Sequence, residues 1–141
     1  MEYKQNTFRS SGFRSFNPNS GFANVGNELG LSQAIIIPPN ASLVVTSGQC
    51  GFKNDLSLPV DVREQVMLAW ENADKTLKAA GVVEGWKNVY QIASFAPSLN
   101  DEWVDAMMEA KAKWMGDNRP AWTGVAVAGL YNNAAVEMTF R

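Results

Sequence analysis

The period of the apolar positions changes along this chain, and each change marks an element. Residues 34–38 (AIIIP) and 42–48 (SLVVTSG) are β-branched runs separated by Pro39 and Asn40, which predicts a hairpin. Gly48, Gly51 and Pro59 then mark a loop. From Asp61 onward the period is helical. Val62, Val66, Ala69, Trp70, Ala73, Leu77 and Ala80 share a face, Asp61 and Glu64 form a capping box, and Gly81 stands where a C-cap belongs. Residues 89–95 (VYQIASF) read as a strand. Asn100 or Asp101 can cap a second helix, with Trp103, Met107, Ala110 and Trp114 on one face and Gly116 as its stop. Two alternating runs around Tyr131-Asn132-Asn133 predict a closing hairpin, and Pro120-Ala121 delivers Trp122 to the mouth of its first strand.

The predicted order is β-β-α-β-α-β-β. This is an α+β pattern over residues 31–141, a mainly antiparallel sheet covered on one face by two helices. No third helix is predicted for the other sheet face, so self-association is the simplest cover for it. Residues 1–30 differ, being rich in Ser, Asn, Gly and Phe with no sustained period. They read as an irregular N-terminal arm whose Phe side chains pack on the body or on a neighbouring subunit. Phe-Arg-Ser occurs at 8–10 and again at 13–15, too few copies for a repeat architecture.

Composition narrows the chemistry. At 141 residues, with 46% hydrophobic and 18% charged positions, the chain is expected to form one domain with a real core. Twelve Lys and Arg against 14 Asp and Glu give a net charge of -2, and no basic run could track a phosphate backbone, so nucleic acid is not an expected partner. No apolar run approaches the roughly 18 residues of a membrane span. Cys50 is the single cysteine, which fits a cytoplasmic location. Arg and Ser near the start leave organelle targeting as an alternative, though no amphipathic stripe accompanies them. Histidine is absent, which removes the commonest general base and metal ligand, and neither a metal nor another cofactor is expected. Acid–base chemistry then falls to carboxylates, Lys, Tyr, Cys50 or water.

The segments LSQAIII (31–37), VTSGQ (45–49), REQVMLAWENADKTLKAAG (63–81) and RPAWTGVAVAGL…AAVEM (119–138) together resemble the Rid family, also called YjgF or L-PSP. The resemblance rests on the ordered set, with compatible spacing over 31–141. It implies a chorismate-mutase-like fold and a homotrimer with a small-molecule cleft between subunits. Deaminase-type members hydrolyse reactive 2-imino acids to 2-oxo acids. In them an Arg clamps the substrate carboxylate, backbone amides assist, and a Glu on the last strand positions water. Carried onto this chain, the amide-bearing turn is Ser47-Gly48-Gln49, the strand amide is that of Gly124, and the Glu is Glu137. The Arg position holds Trp122, which offers one N–H donor and no charge. Leu31 stands where Tyr is typical, and Tyr131 where Pro is usual.

Each residue also has a plainer reading. Strand alternation alone makes Glu137 a solvated sheet residue; the resemblance makes it the proton- or water-handling carboxylate. Trp122 is either a packing aromatic or a platform for a flat ligand. Arg119 could supply a displaced charge, and so could Arg9 or Arg14 if the arm folds over a cleft. Tyr131 is a turn residue whose hydroxyl could donate into the cleft. Cys50, lacking a partner base, is expected to pack. The leading expectation is a Rid-scaffold enzyme acting on a reactive imine, enamine or enol-type intermediate by tautomerisation, hydrolysis, condensation or cyclisation. It would serve a specialised biosynthetic or catabolic pathway, not generic 2-iminobutanoate deamination. The alternatives are a retained 2-imino-acid deaminase with a substitute Arg, and a non-catalytic ligand-binding or chaperone-like trimer.

Overall fold

The structure, a computed structural model, describes residues 4–7 and 12–141. Its elements are β1 (Lys4–Thr7), β2 (Arg14–Asn17), α1 (Gly21–Leu29), β3 (Ala34–Ile36), β4 (Gln49–Cys50), α2 (Val62–Ala79), β5 (Gln91–Ala96), α3 (Asp101–Met115), β6 (Ala121–Ala126) and β7 (Glu137–Phe140). Short 3-10 turns occupy Gly85–Asn88 and Tyr131–Asn133. The strands form an antiparallel sheet in the order β1-β2-β3 and a mixed sheet in the order β4-β7-β5-β6.

The two long helices form where their periodicity and caps place them. The Asp61 carboxylate accepts from the Glu64 N–H at 2.8 Å, and the Asn100 side chain accepts from the Trp103 N–H at 3.0 Å. Each satisfies one of the donors that a helix start leaves unpaired. Gly81 and Gly116 follow the two helices with φ of 72° and 53°, a region that suits a residue without a Cβ. The apolar stripes of α2 (Val66, Ala69, Trp70, Ala73, Leu77) and α3 (Trp103, Ala106, Met107, Ala110) are buried together with Ile92, Met138 and Phe140 of the mixed sheet. Trp70 is fully buried at the centre of this core. Its ring centroid lies 5.0 Å from that of Trp86, 5.8 Å from Phe140, 6.0 Å from Trp114 and 6.1 Å from Trp122.

Three features differ from the sequence expectation. The hairpin of 34–38 with 42–48 does not form. Ala34–Ile36 pairs with β2, and the second run lies along β7, where the Thr46 N–H donates to the Phe140 carbonyl at 3.0 Å and the Phe140 N–H donates to Thr46 Oγ1 at 2.9 Å. The closing hairpin is also absent, because β5 stands between β6 and β7, parallel to the first and antiparallel to the second. The turn at Tyr131–Asn133 is real, with Asn132 and Asn133 at φ 53° and 55°, but it connects strands that are not neighbours. The main sheet is therefore mainly antiparallel, as expected, with one parallel pairing, β5 with β6.

The third difference concerns the described part of residues 1–30, where two strands and a helix occur within the stretch expected to be an irregular arm. The α1 sequence, GFANVGNEL, carries two glycines and gives little intrinsic helical drive. Close contact holds it instead: a Cβ on Gly26 would lie 2.9 Å from both Asn17 Nδ2 and the Leu31 carbonyl oxygen. Removing the central indole should unfold this body most readily. Trp70→Ala is expected to cost about 3–5 kcal/mol, read as a lower urea midpoint, since it opens a cavity at the meeting point of four rings.

Candidate functional site

The expected turn and the expected carboxylate meet at the β4–β7 edge. Gln49 pairs with Met138 and Cys50 with Glu137, so Glu137 is the diagonal neighbour of Gly48. Its side chain lies directly on the Gly48 backbone; a Cβ at 48 would overlap the carboxylate. Glu137 is half-buried and has no ion pair or side-chain hydrogen bond among the described residues. Gln49 is committed to structure, its Nε2 donating to the Ser47 carbonyl at 3.1 Å and its Oε1 accepting from Thr76 Oγ1 at 3.0 Å. Asn72, which periodicity alone did not single out, donates to the carbonyls of both Cys50 and Phe52 at 2.9 Å and so fixes this edge to α2. Tyr131 is exposed, its ring meeting Phe52 edge-on at 6.2 Å.

Cys50 sits beside this carboxylate. Burial, and secondarily the charge of Glu137, push its thiol up from 9.0 to about 11. The protonated thiol is a poor nucleophile at neutral pH, in line with a packing role. No group of three or more Cys, Asp or Glu side chains able to hold a metal ion occurs among the described residues.

Trp122, Gly124 and Leu31 meet elsewhere. They line an apolar groove of about 400 Å³ between α1 and α3, opposite Phe22, Val25 and Leu29 of the shorter helix. The Trp122 indole N–H donates to the buried Ser94 Oγ at 3.0 Å, and its ring packs on the core beside Trp70. Arg119 turns toward α1, donating to Asn27 Oδ1 at 3.2 Å, while its carbonyl accepts from Ser32 Oγ at 2.7 Å. Arg14 is exposed on β2, in register with Thr7 and Ile36, and Arg9 lies outside the described residues.

Strand parity separates the two places. Paired residues in register project to the same side of a sheet, and successive residues alternate. Trp122 pairs with Ile92 and Gly124 with Ser94, both buried on the helix-covered side. Glu137 pairs with Phe95, on the side free of helices. Within one chain Trp122 and Glu137 therefore do not share a cleft. The residue-by-residue correspondence named both positions, but it carried no information about which strand pairs with which.

The coupling at the β4–β7 edge has a direct readout. Replacing the Glu137 charge removes one of the two causes that raise the Cys50 thiol. Glu137→Gln should thus speed alkylation of Cys50 by iodoacetamide at pH 8.5, by less than about tenfold because burial, the larger cause, remains. An unchanged rate would show that burial alone governs the thiol.

Comparison with known proteins agrees with this architecture. A family model described as Endoribonuclease L-PSP matches residues 26–140. The RutC family protein YjgH of Escherichia coli (strain K12) is 30% identical over 91 residues, 64% of this chain and 68% of the relative. RidA from the Antarctic bacterium Psychrobacter sp. PAMC 21119 superposes with a TM-score of 0.64 at 25% identity, covering 77% of this chain and 84% of that one. YyfB from Yersinia pestis, a Rid-family protein of unknown function, gives a TM-score of 0.73 at 19% identity, covering 91% and 96%, which speaks to the fold alone. The extent of the family match and the shared fold together make this chain a member of the Rid (YjgF/L-PSP) family.

Proposed function

We propose that this Rid-family chain is a small-molecule enzyme that moves a proton or activates water at Glu137 on a reactive imine, enamine or enol-type intermediate. The observation that carries the reading is the Glu137 side chain laid over bare Gly48 backbone, half-buried and in no ion pair among the described residues. The missing Cβ at Gly48 leaves the carboxylate room beside the polypeptide. Phe95 and Ala93 on the neighbouring strand, half-buried on the same side, offer an apolar floor for a substrate. Tautomerisation, hydrolysis and enol-based condensation or cyclisation all need only such a group.

Generic 2-iminobutanoate deamination fits less well. The single donor of Trp122 is already used by Ser94, so position 122 offers nothing to a substrate carboxylate. Arg119 is directed to α1, away from the side that bears Glu137. The proposed setting is a cytoplasmic homotrimer in a specialised pathway, in which a neighbouring copy covers the helix-free sheet face and closes the cleft. Val125, exposed on that face, supports such a cover. No helix among the described residues is long and apolar enough to cross a membrane.

Two measurements test the reading. Light scattering should give three times the chain mass; a clean monomer would remove the cleft between copies. A panel of 2-imino acids of increasing size, generated in situ, should show oxo-acid release from 2-iminobutanoate roughly a hundredfold slower than from an Arg-bearing relative. On whichever substrate is accepted, Glu137→Gln should lower kcat by about 10² with little change in binding. Full turnover by that variant would favour a non-catalytic ligand-binding trimer.

A further inference from the structure

The α1–α3 groove has no role in the reading above, and one hydroxyl at its floor is only half used. Ser94 of β5 and its register partner Gly124 of β6 both line the groove. Ser94 Oγ accepts the Trp122 indole N–H at 3.0 Å, and its own proton has no acceptor among the described residues. A hydroxyl carries one donor besides its lone pairs, and a buried one ordinarily spends it. The position opposite is bare. A Cβ on Gly124 would meet Ser94 Oγ at 3.3 Å and, apart from its chain neighbours, no other heavy atom within 4 Å. Trp103, a second lining residue, is only 7% exposed, and its indole N–H is also buried without an acceptor.

We propose that the groove binds a small, uncharged, planar carbonyl compound, whose oxygen accepts from Ser94 Oγ in the space that Gly124 leaves open. No charged side chain lines the groove, so a carboxylate or an ammonium placed there would lose its water with no counter-charge in return. A neutral oxygen needs one donor, and Ser94 has one to give. The rings of Phe22, Trp103 and Trp122 suit a flat molecule, and a volume of about 400 Å³ suits a small one. Phe22, Val25 and Leu29 of α1 and Val104 of α3 line the groove yet remain exposed, so the ligand gains apolar contact on both walls. The site is separate from Glu137, which stands on the helix-free side of the sheet.

The test is a titration of the ¹⁵N-labelled protein, followed at the Trp122 indole N–H, whose signal is identified by its loss in Trp122→Phe. Three probes of one shape are compared: 2-acetylnaphthalene, 2-ethylnaphthalene without the acceptor, and 2-naphthoate with a charge. The ketone should bind about three- to tenfold tighter than the hydrocarbon, the yield of one neutral hydrogen bond, and the carboxylate should bind weakest. Ser94→Ala removes the donor, and Gly124→Ala sets a methyl beside it while leaving the Trp122 bond in place. Each should bring the ketone down to the level of the hydrocarbon. Gly124→Ala decides the matter alone if loss of the Trp122 acceptor unfolds Ser94→Ala. A ketone bound no tighter than the hydrocarbon, a preference that survives in Gly124→Ala, or a carboxylate bound as well as the ketone would each overturn the proposal. The readout is binding on the helix side of the sheet, so it stands or falls apart from any turnover at Glu137.

Discussion

Strand β5 is hydrogen-bonded along both edges, parallel to β6 and antiparallel to β7, and this double pairing decides the side on which each candidate side chain stands. Ile92, Ser94 and Ala96 face the helices, so Trp122 and Gly124, their partners on β6, face them as well. Phe95 faces the other way, and Glu137 with it. A slip of one residue in either pairing would exchange those sides. Trp70 resists such a slip on the helix side, because its ring contacts Trp122 of β6 and Phe140 of β7 at once.

The long helices were legible in the sequence because their signals are local. Asp61 and Asn100 cap through their own side chains, and the periodic stripes run for several turns. The meeting of Gly48 with Glu137 was legible through family resemblance, since position within an ordered motif set survives extensive substitution. Strand partners were not. Alternation tells which residues share a face of a strand, whereas the choice of neighbour is made by the whole sheet, and β5, with apolar residues on both sides, takes the central place that the closing hairpin would have needed. Helix α1 escaped notice for a related reason: its stability is tertiary, resting on Gly26 against Asn17 and Leu31, and not on helix-forming composition.

Loops are fastened by side-chain amides. Gln65 donates to the Pro59 carbonyl and accepts from the Ala135 N–H, joining the approach to α2 to the approach to β7. Asn118 donates to the carbonyls of Trp86 and Val89 at 2.7 and 2.8 Å, and Asn72 serves the β4 edge in the same way. Each amide satisfies backbone groups that an irregular segment leaves unpaired, which lets such segments lie against an apolar core without a desolvation penalty. Asn72 and the β4–β7 pairing thus fasten the backbone that carries Gly48, Cys50 and Glu137, although much of 42–48 is not a regular strand.

Strand β6 is the outer member of the mixed sheet, and the bridge from Ser32 to Ala121 covers only its beginning. From Thr123 to Ala126 it is exposed, with no charged residue and no proline. A bare strand edge of this kind is a template for pairing with another chain, and proteins ordinarily blunt it with lysine, proline or a bulge. A net charge of -2 spread over 141 residues offers little repulsion against pairing at this four-residue stretch.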